Sequence, residues 1–199
     1  MKRMMNGRLW GFGVLCLVLG LAGCGVGRVG TAPARYDLGA DDAAAPAVAA
    51  RKPVSLVFDA APALGDTGMI WRVEGSASPK AYAQARWSVS PSDLVRQRLV
   101  ERLSRQGPVL PDGAAGLPRL QVTLMRFEQV FAGDGASSTG QVSLQAVLSR
   151  ADGRVLGQKL LQRSAPAATQ DAEGGARALR QATDEAADAL AVWLGGALR

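Results

Sequence analysis

The chain has 199 residues, 48% of them hydrophobic, and a formal net charge of +6, a length that fits one folded domain with a targeting segment. Three of its 23 basic residues, Lys2, Arg3 and Arg8, precede Cys24, so the remainder carries an ordinary solubility charge and no basic run interleaved with aromatics of the kind that marks a nucleic-acid surface. Histidine is absent, which excludes imidazole dyads and triads and removes the commonest zinc ligand.

Residues 1–8 form a positively charged n-region, and residues 9–23 are apolar or small throughout. That apolar run falls short of the ~20 residues a helix needs to cross hydrocarbon and matches the h-region of a signal peptide. It ends in Leu21-Ala22-Gly23-Cys24, the pattern of a bacterial lipobox. Small residues there let a peptidase approach the backbone, and the thiol accepts the lipid. Cleavage after Gly23 is expected, with Cys24 acylated as the first residue of the mature chain. Cys16 then leaves with the leader, so neither a disulfide nor a cysteine metal site remains. Several acyl chains anchor stably where one does not. Gly25 follows the cysteine, where Asp would resemble an inner-membrane retention signal, so the expected location is the outer membrane, facing the periplasm.

Residues 24–52 are rich in Gly, Ala and Pro and read as a lipidated N-terminus and tether. One island interrupts them, Tyr36-Asp37-Leu38-Gly39, read either as a first strand or docking segment or as an exposed pair within the tether. Residues 53–199 are the expected folded domain. Strands are predicted at 54–58, 69–73 and 81–89, separated by turn residues. Ser90-Pro91-Ser92-Asp93 then places a capping hydroxyl, an N1 proline and an acid at N3. The helix it opens carries Leu94, Val95, Leu99 and Leu103 as an apolar stripe and stops at Gly107-Pro108. Arg96, Arg98, Arg102 and Arg105 share that helix. A solvated face is the favoured reading, with an anion-binding face as the alternative.

Residues 120–131 and 141–150 alternate polar and apolar, and Asp152-Gly153 is a hairpin signal leading to a returning strand at 154–163. The glycine-rich loop 133–140 lacks the Lys-Ser/Thr ending of a phosphate cradle and reads as a hairpin loop. Leu179, Ala182, Ala186, Leu190, Trp193 and Ala197 form a last helical stripe, although Gly174 and Gly175 weaken its first turn. On that helix Asp184, Glu185 and Asp188 read as solvated charges rather than cation ligands. The expected fold class is therefore α+β: a single domain with an antiparallel β-sheet packed by two main helices, near 92–106 and 172–198. No catalytic residue, metal ligand or cofactor site is assigned.

The leader with Leu21-Ala-Gly-Cys24, the Tyr36-Asp-Leu-Gly39 island, Tyr82 through Arg86-Trp87, then Pro91, Leu94 and Leu99, the meander, and the last helix with Trp193-Leu194 together resemble the ABC-type transport auxiliary lipoprotein family (PqiC/YmbA-like). The resemblance spans essentially the whole mature chain; the alanine-rich tether and the glycine-rich loop after Phe131 depart from it. It implies a non-enzymatic outer-membrane subunit that acts with a periplasmic MCE-domain protein and inner-membrane ABC-type transport components to move lipid between membranes. Only Cys24 carries over as a defined functional position. Arg86 and Trp87 are candidate partner contacts, because those residue types anchor interfaces; alternation sets them on opposite faces, and a tryptophan on a strand next to a helix is more often core. The alternative is a free-standing envelope lipoprotein that regulates cell-wall synthesis or outer-membrane assembly.

Overall fold

A computed structural model describes residues 31–41 and 50–198. The leader and Cys24 lie outside the described residues, as do residues 42–49. One compact unit begins at Pro33.

Eight strands and two long helices follow in the order β1 (Ala34–Tyr36), β2 (Val54–Ala60), a 3-10 turn (Pro62–Leu64), β3 (Gly68–Val73), β4 (Lys80–Trp87), α1 (Pro91–Ser104), β5 (Val109–Pro111), β6 (Arg119–Phe131), β7 (Ser138–Ser149), β8 (Val155–Pro166) and α2 (Ala172–Ala197). The class is α+β, as expected, but the sheet is mixed rather than antiparallel. Strands β6, β7 and β8 form the predicted antiparallel meander. The other edge of β6 is shared: its first half pairs parallel with β2, and its last three residues pair parallel with β3. Strand β2 passes the sheet on to β5, and β3 passes it through β4 to β1. The parallel β2–β6 pair is possible because α1 lies in the crossover between them, the connection that parallel strands require.

A bulge between Leu124 and Arg126 changes which residues of β6 face inward. Before it Leu120, Val122 and Leu124 are buried, each 0% exposed; after it Phe127 takes the core position. One extra residue shifts a period-two pattern by one. Without the shift, Gln129 and Phe131 would face away from Trp71.

Helix α1 begins where predicted, with the Ser90 hydroxyl accepting from the Asp93 amide at 3.1 Å. Leu94, Val95, Leu99 and Leu103 are buried in the core. Arg51 closes the other end. It is 5% exposed and donates to the carbonyls of Leu103 and Gly107 at 3.0 and 3.2 Å, groups a helix C-terminus otherwise leaves unsatisfied. A Cβ at Gly107 would sit 2.4 Å from the Arg51 carbonyl oxygen, so glycine is needed for that approach.

Helix α2 covers β7, β8 and part of β6, and packs on α1. Its doubtful glycines are fully helical. Asp171 caps the helix, accepting from the Gly174 amide at 2.8 Å. A Cβ at Gly175 would meet the Gln129 side-chain oxygen at 2.1 Å, and one at Gly140 of β7 would meet the Leu179 amide nitrogen at 2.5 Å. The buried face of α2 is mostly alanine: Ala178, Ala182, Ala186, Ala187 and Ala191. These small residues bring the helix axis close to the sheet. The predicted stripe drifts at its end, where Leu194 and Leu198 are buried in place of Ala197, and Trp193 is half-buried beside Gly157.

Candidate functional site

Two constellations stand out. In the first, α1 and α2 hold the N-terminal segment. Leu38 is 3% exposed, and β1 pairs parallel with the end of β4, so the Tyr36–Gly39 island is a docking segment. Arg98 donates to the carbonyls of Leu38 and Gly39 at 2.8 and 2.5 Å and to Asp184 Oδ1 at 2.5 Å. Arg102 donates to Asp41 and Asp188, both at 2.7 Å; Arg105 reaches Asp41 at 2.6 Å. Arg180 donates to the Ala40 carbonyl at 2.5 Å.

Of the four arginines of α1, Arg96 and Arg105 are exposed as a solvated face would have them, but Arg98 and Arg102 are not. Arg98 and Arg102 are 3% and 2% exposed, and each pairs with carboxylates that the fold brings from other elements. Burial works to lower the Arg102 guanidinium, but hydrogen bonds to Asp188 and Asp41 and the charges of Asp184 and Asp188 outweigh it and leave it raised. Burial holds Asp184 above its ordinary value, and the Arg98 and Arg102 charges only partly offset this. Three carboxylates meeting three guanidiniums make a structural lock rather than a cation site.

The second constellation is an open groove of about 710 Å³ at one end of the sheet. Trp71 of β3 is in register with Lys80 of β4 and with Gln129 of β6. Val73 is in register with Phe131. Cross-strand neighbours share a face, so Trp71, Val73, Lys80 and Phe131 stand together. They lie just past the first turn of α2, which packs on Gln129 through Gly175. Among the described residues, no helix lines the groove beyond. The β6–β7 turn, with Gly133, Asp134 and Gly135, forms the rim.

Trp71 meets Phe131 edge-on at 5.6 Å between ring centroids and Tyr82 at 6.1 Å. The Lys80 ammonium lies 5.2 Å from the Trp71 centroid, within cation–π range. Tyr82 donates to Gln129 Oε1 at 2.8 Å, and Gln129 donates to the Ser138 hydroxyl at 2.7 Å. Burial, with the Asp171 charge added, pushes the Tyr82 phenol up to about 12. The groove has a mostly apolar wall, with Asp134 and Gln170 as its polar lining besides Tyr82.

Of the two residues considered for partner contact, Trp87 is a core ring. It is 1% exposed and packs 5.1 Å from Phe127, so it offers a partner no surface. Strand alternation turns it into the core. Arg86 is half-buried and donates to the backbone oxygens of Tyr82 and Ala85, bracing β4. The aromatic trio joins the consecutive strands β3 and β4 to the distant β6, and the bulge that orients Phe131 leaves no local mark.

A family model described as "ABC-type transport auxiliary lipoprotein component" matches residues 36–191. No curated protein matches the sequence. Among solved structures, a Xanthomonas campestris protein described under family DUF330 shares 21% identity and a TM-score of 0.66, over 83% of this chain and 95% of its own. A second, uncharacterized protein shares 15% identity and a TM-score of 0.62, over 80% of this chain and 97% of its own. At these identities the likeness is one of fold. The family match begins at Tyr36, the last residue of β1, so the docked segment lies largely within it.

Proposed function

The chain belongs to the ABC-type transport auxiliary lipoprotein component family, and on that premise we propose that it is a non-enzymatic docking subunit of an MCE-linked intermembrane lipid transport system, anchored to the outer membrane through Cys24. The observation that carries the reading is the family match over nearly the whole described domain. The chemistry of the chain supports it. Histidine is absent from the sequence. The most buried carboxylates, Asp41, Asp184 and Glu128, are bound by arginines, with Glu128 held by Arg72 at 2.7 Å. The groove at the end of the sheet presents aromatic side chains without a nucleophile–base pair among its lining residues, which suits recognition.

The rival is a lipoprotein that regulates a cell-wall synthase or assists outer-membrane assembly. Crosslinking in intact cells, followed by pull-down of the native lipoprotein, separates the two. Recovery of a periplasmic MCE-domain protein is expected, with a leaky envelope in a deletion strain. Recovery of a cell-wall synthase, with lipid transport intact in the deletion strain, would transfer the assignment to the regulator. The anchor has its own check: Cys24→Ala should abolish incorporation of a fatty-acid analogue.

A further inference from the structure

We propose that the outer edge of β8 takes up an extended segment of a partner protein as an added strand, and that this segment alternates apolar with acidic residues. The inference rests on the docking reading and gives it a surface, whichever protein docks.

The backbone comes first. Strand β8 pairs with β7 alone, and among the described residues nothing pairs with its other side. The two other branches of the sheet end in β1 and β5, three residues each, whereas β8 runs for 12. Short edge strands are a usual guard against unwanted pairing, and β8 is not short. The Ala167 amide donates to the Ser138 carbonyl at 2.9 Å, one step beyond the Thr139–Pro166 pair. Hydrogen-bonded pairs alternate along an antiparallel ladder, so Val142–Arg163 and Leu144–Leu161 are hydrogen-bonded pairs as well. Gln158, Leu160, Gln162 and Ser164 therefore turn their N–H and C=O groups outward, and all of them are exposed. Pro166 takes the next outward position, where a missing N–H costs the ladder nothing. Among these outward groups the Gln162 carbonyl alone has a protein partner, the Arg163 guanidinium at 2.7 Å. Such a row of donors and acceptors is matched in full by another extended backbone.

The side chains say which strand fits. Leu160 is 55% exposed and alternates with the core residue Leu161, so it stands on the face away from α2. Lys159 and Arg163 stand on the α2 side with Leu161. Strand β8 carries no Asp or Glu, and neither cation makes an ion pair among the described residues. Glu185 of α2 accepts from Gln181 instead. A second copy of the chain is thus a poor match. Antiparallel pairing of β8 with itself, in any register, adds two more cations to that side and no acid, and like charges across a sheet are destabilising. A strand that brings carboxylates to Lys159 and Arg163, and apolar side chains against Leu160, meets both faces of the edge. Repulsion of the wrong partner and attraction of the right one then come from the same residues.

The test uses the full-length protein in detergent micelles, with amide exchange followed residue by residue. Without a peptide, the amides of Leu160 and Gln162 should exchange faster than those of Leu161 and Arg163. The probe is an acetylated peptide that alternates valine and glutamate. At ~10 times its dissociation constant it should slow exchange at Leu160 and Gln162 about tenfold. The same peptide with lysine in place of glutamate, or with every amide methylated, should not. Lys159→Glu combined with Arg163→Glu should reverse the preference in favour of the lysine peptide. Lys159→Glu alone, at an exposed position, should weaken it, and serves if the double variant is unstable. Unchanged exchange at the two amides, or equal protection by all three peptides, would overturn the proposal. So would protection that rises with protein concentration in the absence of peptide, which would give the edge to a second copy. No protection by peptide, with an MCE-domain protein still recovered by crosslinking, would sink this inference alone. Protection by peptide without that partner would sink only the MCE reading of the docking.

Discussion

At the scale of single residues, the sharpest consequences come from charges the fold has buried. Arg102 is 2% exposed and meets Asp41, Asp184 and Asp188. Removing one partner of a buried ionic group leaves the rest uncompensated, at a cost of about 3–5 kcal/mol. We predict that Arg102→Met lowers the unfolding free energy by that amount in urea titration; a change below about 1 kcal/mol would mean the carboxylates are solvated. Tyr82 supplies a pH signature. Its phenol is raised to about 12 from an ordinary 10.0, so the folded state holds the proton more tightly. The stability this contributes is present below pH ~10 and lost as pH rises to about 12. We predict that Tyr82→Phe flattens that alkaline loss. In a Tyr36→Phe chain, where Tyr82 is the sole tyrosine, phenolate absorbance should appear only near pH 12.

At the scale of elements, helix α2 and the meander depend on contacts that admit no side chain. Gly140 would place a Cβ 2.5 Å from the Leu179 amide nitrogen and 2.6 Å from the Ala178 carbonyl carbon, both backbone atoms that cannot rotate away. We predict that Gly140→Val forces α2 off the sheet and costs ~1–3 kcal/mol or more, read as a drop in the unfolding midpoint and faster amide exchange along β7. Gly153, with φ +88° and open space within 4 Å of where a Cβ would sit, differs in kind: it is required by its turn conformation, not by space. The first glycine is set by packing and the second by a local angle. Only the second kind is visible in a hairpin signal such as Asp152-Gly153.

At the scale of the whole molecule, the N-terminal segment is part of the domain. Residues 34–41 contribute β1, the buried Leu38 and the Asp41 carboxylate, whose side chain is 0% exposed where it meets Arg102. A chain starting at Lys52 would lose all three and also the Arg51 cap on α1. We predict that it unfolds at clearly lower urea than a chain starting at Pro33, by several kcal/mol of the ~5–15 available to a domain. Equal midpoints would show the clasp to be incidental.

Local chemistry was enough, from the sequence alone, to establish the α+β class, the capped start of α1, the three meander strands and the family resemblance. Each is a pattern over neighbouring residues: a hydroxyl three positions before its amide, apolar side chains every second or fourth place, a turn dipeptide. The tertiary structure decided the rest. It made the sheet mixed, because which strands pair in parallel depends on how crossovers pack and leaves no trace within a strand. It buried Trp87 in the core and left Trp71 half-buried at the end of the sheet, a difference between two aromatic strand residues that leaves no mark in the strands themselves. It also converted Arg98 and Arg102 of α1 from expected surface charges into buried partners of Asp41, Asp184 and Asp188, residues 61 to 86 positions away on the chain. Charge pairing at that distance is invisible to composition and periodicity, because a guanidinium is stable in water or beside a carboxylate and the fold alone determines which it meets.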